Sequence, residues 1–381
     1  MKIGIVCYPT YGGSGVVAAE LGMHLANKGF EVHFITYRRP ARLTGFRKNI
    51  FYHEVNPVDY PLFEYPPYDS ALASKLVDVV TYEKLDLLHV HYAIPHATVG
   101  YLAKMILRSR GIHIPLITTL HGTDITLVGN DPSYAPAVEF GINESDGVTA
   151  VSAQLRQSTL DQFSIQNNIE VIPNFIDLER FNRKDKAHFR KAITPNGEFI
   201  VMHTSNFRKV KRVDNVIKIF HGIQKVLPSK LLLVGDGPER INMENLCRDL
   251  QICQDVLFLG KQDAVEELLA VSDLFLLPSE TESFGLSALE ALACEVPVIC
   301  SDVGGLPEVV TDGYCGFLRD PDDIEGMIEA GLILLGDKEK LRKFRRNALS
   351  RAQDFEISKV IPRYEKFYQL VIEQSKTKLS I

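Results

Sequence analysis

The sequence predicts an α/β fold built as two parallel-sheet domains in tandem, and three observations predict it. Short runs rich in aliphatic and β-branched residues alternate with longer helical patterns from the first residue onward, the order that builds parallel sheets covered by helices. Both halves of the chain follow the same alternation. A length of 381 residues is long for one domain and comfortable for two, each able to bury its own core.

In the first half the strands fall at Lys2–Cys7, Glu31–Tyr37, Phe51–Val55, Leu87–His91, Leu116–Leu120, Gly147–Val151 and Glu170–Ile172. Between the first two lies a helix, Val16–Lys28, which stops at Gly29 as a helix with a C-terminal glycine should. In the second half the strands fall at Phe199–Thr204, Lys230–Val234, Val256–Leu259, Leu274–Leu277, Val298–Cys300 and Gly316–Leu318. Helices Val213–Val226, Glu239–Leu250, Val265–Val271 and Gly285–Ala293 separate them. The halves share an architecture without repeating a sequence, so the reading is two Rossmann-like domains. The boundary is placed at Ile172-Pro173-Asn174, where a strand ends in a Pro-Asn turn and a charged stretch from Glu179 to Lys191 follows. That gives domains 1–172 and 173–361. The last stretch, 362–381, reads as a helix after Pro362 that packs back onto the first domain.

Composition narrows the function classes. A formal net charge of -6, with acids and bases spread along the chain, leaves no basic stripe for a nucleic-acid backbone. The six cysteines form no C-x-x-C pair and sit mostly in apolar segments, which reads as reduced thiols and a cytoplasmic location. The opening Met1-Lys2-Ile3-Gly4-Ile5-Val6-Cys7 is a first strand and too short an apolar run for a signal peptide. No segment approaches the roughly 20 continuous apolar residues that cross a bilayer, so no membrane span is expected. A homo-oligomer is left open.

In open parallel sheets ligands bind beyond the carboxyl ends of the strands, so the loops that follow strands hold the candidates. Glu282-Ser283-Phe284-Gly285-Leu286-Ser287 follows Leu274–Leu277 and begins a helix. The free N–H groups of Gly285, Leu286 and Ser287 suit phosphate oxygens. Glu282 can accept from a sugar hydroxyl, and Glu290, two turns into the helix, from a ribose diol. The competing reading is two solvated glutamates on an amphipathic helix.

Ser205-Asn206-Phe207-Arg208-Lys209-Val210-Lys211-Arg212 follows Phe199–Thr204 and puts four cations within five residues, a candidate diphosphate site. A solvated basic face is the alternative. After the first strand, Tyr11-Gly12-Gly13-Ser14-Gly15 lets backbone N–H groups come close to a phosphate or sugar, or makes a tight turn and nothing more. No acidic residue ends the second strand, where Thr36-Tyr37-Arg38 stands, which argues against a nicotinamide cofactor. His121-Gly122-Thr123-Asp124 follows the fifth strand, where a histidine can serve a sugar hydroxyl or be structural. Gly235-Asp236-Gly237-Pro238-Glu239 has the chemistry of a turn into a helix. Asp322-Asp323 stands where a helix N-cap is expected, so neither a metal site nor another cofactor is expected.

Taken together, Gly12–Gly15, His121, Val171-Ile172-Pro173-Asn174, Arg208 with Lys211, Gly235-Asp236-Gly237-Pro238 and Glu282 with Glu290 resemble the motifs of the retaining nucleotide-sugar glycosyltransferases of family four. The resemblance covers nearly the whole chain. It implies a GT-B fold, two Rossmann-like domains whose parallel sheets face a central cleft. Further phrases are similar to one subfamily, which begins bacillithiol biosynthesis: Cys7-Tyr8-Pro9, His33-Phe34-Ile35-Thr36, Tyr65-Pro66-Pro67-Tyr68, His89-Val90-His91-Tyr92 and Thr118-Thr119-Leu120-His121. The resemblance then implies UDP-N-acetylglucosamine as donor and L-malate as acceptor. A family-four enzyme with another sugar donor, or with a glycan or lipid acceptor, is the alternative.

Carried onto this chain, the resemblance implies catalytic roles for His121, Glu282, Arg208 and Lys211. Donor contacts fall to Gly13, Ser14, Gly15, Ser205, Asn206, Arg208, Lys211, Phe284, Gly285, Leu286, Ser287 and Glu290. Candidates for the small dianionic acceptor are Ser14, Lys75, Tyr92, Thr118 and Thr119. One departure is Asn206, where many members carry an arginine five residues before the lysine; Arg208 is then the guanidinium at hand.

Overall fold

The structure is a computed structural model that describes residues 1–10, 12–43, 45–57, 64–183 and 186–379. Tyr11 and two residues of the charged stretch, 184 and 185, lie outside the described residues. The chain divides into two compact units, one formed by Met1–Pro173 with Ser358–Ile381, the other by Asn174–Ile357.

In the first unit seven strands are described: β1 (Lys2–Val6), β2 (Glu31–Thr36), β3 (Ile50–Glu54), β4 (Leu87–His91), β5 (Leu116–Leu120), β6 (Gly147–Ala150) and β7 (Ile169–Val171). They form one parallel sheet in the order β3-β2-β1-β4-β5-β6-β7. The order reverses between β1 and β4, the switch point at which such sheets open a crevice. Pairing of Val6 with Val90 brings the ends of these two strands level. Every residue of β4 and β5 is buried, because helices cover both faces of a parallel sheet.

The first and last helices depart from the sequence reading. The first runs Gly13–Asn27, with Gly12 as its N-cap, so Gly13, Ser14 and Gly15 form its opening turn and are not a loop before it. Glycine is a poor helix former, yet at position 15 nothing larger fits: a Cβ would lie 2.4 Å from the Tyr8 carbonyl oxygen. The last helix spans Ile357–Leu379, with Pro362 inside it, where the sequence had it begin after that proline. Burial of Val360, Ile361, Tyr364, Tyr368 and Val371 along one face holds the helix across the lost N–H bond. The Tyr368 hydroxyl lies 2.8 Å from His89 Nδ1 and ties this helix to β4.

In the second unit six strands are described: β8 (Phe199–Thr204), β9 (Ser229–Val234), β10 (Val256–Gly260), β11 (Leu274–Leu277), β12 (Val298–Ser301) and β13 (Gly316–Arg319). The order β10-β9-β8-β11-β12-β13 repeats the reversal, here between β8 and β11. Its core packs Phe220, Ile223, Leu231, Leu233, Leu274 and Leu334 between sheet and helices. At the start of β11, Asp273 is 3% exposed and accepts from Arg190 at 2.7 Å, Arg345 at 2.6 Å and the Ile200 amide at 2.9 Å. Asp273→Asn keeps the shape and removes the charge that both guanidinium groups serve. A loss of about 2–3 kcal/mol from the second unit is expected, read from the urea midpoint; an unchanged midpoint would remove this cluster from the account of stability.

Candidate functional site

In the second unit the switch point places the loop after β8 beside the loop after β11. The Glu280 amide donates to the Val210 carbonyl at 2.8 Å. Lys211 Nζ then reaches Glu282 Oε1 at 2.6 Å, and Ser279 Oγ donates to the same oxygen at 3.0 Å. Both charged groups are largely buried, Lys211 at 21% and Glu282 at 12% side-chain exposure, so the pair is a held device and not a passing surface contact. Two glycine turns support it from below. Gly304, with φ 56°, would put a Cβ 1.9 Å from the Glu282 carbonyl oxygen, and the Gly305 amide donates to that oxygen at 2.8 Å. Gly235 and Gly237 lie against Ser205 and Asn206 in the same way, with Cβ positions 1.8 and 2.1 Å from their carbonyl oxygens.

Ser205 Oγ lies 2.8 Å from His203 Nε2 and accepts from the Phe207 amide at 3.3 Å, so it shapes the turn. His203 Nδ1 donates to the Leu276 carbonyl at 2.8 Å, joining β8 to β11, and burial pushes its imidazole down to about 4. Asn206 and Arg208 are exposed at the loop surface. Arg212, with φ 47°, turns away to Glu280 and Asp322, at 3.2 Å from each. Phe284 is buried, edge-on to Phe355 at 5.7 Å, and anchors the turn into the helix Leu286–Ala293. Gly285, expected as the first helical residue, instead caps that helix at φ 91°, so the helix begins one residue later, at Leu286. The amides of Leu286 and Ser287 thus belong to the first turn, whose N–H groups have no partner within the helix. Glu290, in the same helix, is 6% exposed.

In the first unit the switch point gathers the loops after β1, β4 and β5. Tyr92, at φ 85°, donates its hydroxyl to Ser14 Oγ at 2.7 Å. Its ring lies 5.2 Å from His121, and His121 Nε2 lies 2.8 Å from His91 Nδ1. Burial drives His121 down to about 3, so this group is a neutral hydrogen-bonding surface near pH 7. Asp124, 2% exposed, accepts from the amides of Ala93 and Gly122, each at 2.9 Å, and so fixes the loops after β4 and β5 to each other.

Other candidates fall elsewhere. Thr118 and Thr119 lie within β5, fully buried, with hydroxyls engaged by Ser145 and by His89 and Thr149, each at 2.7 Å; no group remains for a ligand. Alternation sends them to opposite faces of the sheet, both of them covered, and the chain leaves the strand only at His121. Lys75 stands on the helix Tyr68–Glu83 with Asp78 at 3.8 Å, and among the described residues no contact joins it to Ser14, Tyr92 or His121. The sequence reading gave no site role to His91, His96 or Tyr8, whose rings pack into this cluster. Its trace was the pair His89 and His91, two polar residues on one face of an otherwise apolar strand.

Residues 11–180 match the family Glycosyltransferase Family 4, and residues 184–351 match Glycosyl transferases group 1. The N-acetyl-alpha-D-glucosaminyl L-malate synthase of Bacillus anthracis is 48% identical over 99% of this chain and 98% of that protein. The chain belongs to the family-four glycosyltransferases. Other transferases lie further off: the D-inositol 3-phosphate glycosyltransferase of Nocardia farcinica is 26% identical over 90% of this chain and 81% of its own. Among solved structures, the sucrose-phosphate synthase of Thermosynechococcus elongatus superposes with a TM-score of 0.83 at 22% identity, covering 98% of this chain and all (100%) of that one. Anabaena HepE in complex with UDP and glucose gives 0.78 at 21%, covering 100% and 99%. These last two establish fold alone, and the fold is the expected GT-B class of two parallel-sheet α/β units. Among the described residues no helix of this transferase is long and apolar enough to cross a membrane.

Proposed function

We propose that this transferase moves N-acetylglucosamine from UDP-N-acetylglucosamine to the hydroxyl of L-malate in the cytosol, with retention of anomeric configuration, as the first step of bacillithiol biosynthesis. The single observation that carries this reading is the 48% identity to the Bacillus anthracis synthase along essentially the full length of both chains.

In this reading the second unit holds the donor. Arg208 and Lys211 serve the diphosphate, the amides of Leu286 and Ser287 serve phosphate or sugar oxygens, Glu290 serves the ribose and Glu282 a sugar hydroxyl. Glu282 also aims Lys211: the ammonium has three donors and can keep its carboxylate while serving a phosphate oxygen. As the bond between the anomeric carbon and the β-phosphate oxygen breaks, charge grows on that phosphate. Cations and amide dipoles already in place stabilise it more in the transition state than before it. The malate hydroxyl oxygen forms the new bond on the same face, and its proton passes to the departing phosphate oxygen. No carboxylate nucleophile and no metal are invoked. In the first unit, the opening turn at Gly13-Ser14-Gly15 presents N–H groups at a positive dipole end, which suits sugar oxygens and the acceptor's carboxylates, with Tyr92 and His121 beside it.

The test is product mass spectrometry with UDP-N-acetylglucosamine and a panel of hydroxy acids, inositol phosphate and lipid acceptors. N-acetylglucosaminyl malate is expected as the main product; preference for another acceptor overturns the assignment. Lys211→Ala is expected to weaken UDP binding by about 1.5–3 kcal/mol, roughly tenfold to hundredfold in Kd. Unchanged UDP affinity by calorimetry would take Lys211 out of the donor site.

A further inference from the structure

We infer that the first unit carries a divalent transition-metal site, built by His33, His53 and Glu83, outside the residues assigned to transfer. The three come from separate segments: His33 from β2, His53 from the edge strand β3, and Glu83 from the last position of the helix Tyr68–Glu83. Parallel pairing of His33 with Phe51 and of Ile35 with His53 puts both imidazoles on one face of the sheet. His33 Nδ1 lies 2.9 Å from His53 Nε2, and the ligand atoms of all three side chains lie within 4.8 Å of one another.

A second observation makes this more than a cluster. The other nitrogen of His33, Nε2, lies 3.1 Å from Glu31 Oε1, and Glu31 is itself held by Lys2 at 2.6 Å. A carboxylate at that place keeps the proton on Nε2 and leaves the Nδ1 lone pair facing the other two groups. Histidine ligands of metals are oriented in this way, by a carboxylate behind the ring. His33 is fully buried and its ring stacks on Phe51 at 4.8 Å, so the donor cannot swing away.

Two imidazoles and one carboxylate, with no thiolate, suit zinc or a neighbouring ion such as cobalt, with water in the fourth position. Metal–ligand bonds of about 2.0–2.2 Å ask for ligand atoms roughly 3.4 Å apart, so the two rings part slightly and Glu83 swings inward. Binding needs no net proton release: the His53 proton moves from Nε2 to Nδ1 as Nε2 takes the ion. The ion would fasten the edge strand β3 to β2 and to the end of the helix beside them.

The test uses full-length, untagged, chelator-treated protein carrying Cys253→Ser, which removes the exposed thiol. It is titrated with zinc chloride by calorimetry and with cobalt chloride by absorbance. One equivalent is expected to bind, giving visible bands for a nitrogen and oxygen ligand set and raising the thermal unfolding midpoint. His53→Ala and Glu83→Gln, at half-buried positions, should each weaken zinc at least about tenfold and abolish the thermal shift. Glu31→Gln should weaken it about 10- to 100-fold through the orienting contact alone. Absence of saturable binding in the parent protein, or equal affinity in His53→Ala and Glu83→Gln, overturns the proposal.

Discussion

Glu282→Gln is expected to lower kcat/KM for transfer by about 100-fold or more, while the unfolding midpoint stays near that of the parent protein. The side chain has two tasks in the proposed mechanism, and the amide fails at both. As a carboxylate it accepts from a sugar hydroxyl with full charge, and it holds Lys211 at 2.6 Å in the position from which the ammonium meets the diphosphate. Glutamine keeps the volume and can still accept from Ser279, so the glycine-supported turn at Gly304 and Gly305 keeps its shape. Loss of the charge therefore separates chemistry from folding. Turnover within a few-fold of the parent would remove Glu282 from the reaction.

Acidification is expected to unfold the first unit ahead of its ordinary thermal limit. His89, His91 and His96 are fully buried, and desolvation pushes His89 down to about 3, His96 to about 4 and His91 well below its ordinary value near 6.5. Below pH 6.5 the unfolded chain takes up these protons and the folded chain does not, so stability falls as pH falls. Stability from the three groups is fully present above about pH 6.5. Near pH 5.5 each neutral ring costs about 1.4 kcal/mol relative to the protonated unfolded state, or roughly 4 kcal/mol for the three. Urea unfolding at pH 7.5 and 5.5, followed by hydrogen exchange at β4 and β5, measures the difference. Equal first-unit stability at the two pH values would contradict neutral burial of this cluster.

The strands were legible because each is a local event. Val298–Cys300 and Leu274–Leu277 are apolar runs bounded by turn residues, and the structure sets them at Val298–Ser301 and Leu274–Leu277. Helix ends were read less well. The glycines at 13 and 15 signal a loop by propensity, yet both lie in the helix, and only the approach of the Tyr8 carbonyl shows why position 15 must be glycine. Pro362 signals a start by the same local rule, and the burial of Tyr364 and Tyr368 overrides it.

The sequence by itself determined the α/β class, the positions of the strands and the loops in which reactive groups stand, because hydrophobic periodicity and strand-end placement depend on near neighbours. Only the tertiary structure decided which of those groups meet. Lys211 and Glu282 are 71 residues apart and become partners through the order of β8 and β11, while Thr118 and Thr119, a few residues from His121, are closed off by Ser145 and by the neighbouring strands β4 and β6. Contact between distant segments follows from sheet order and register, and no local pattern encodes either.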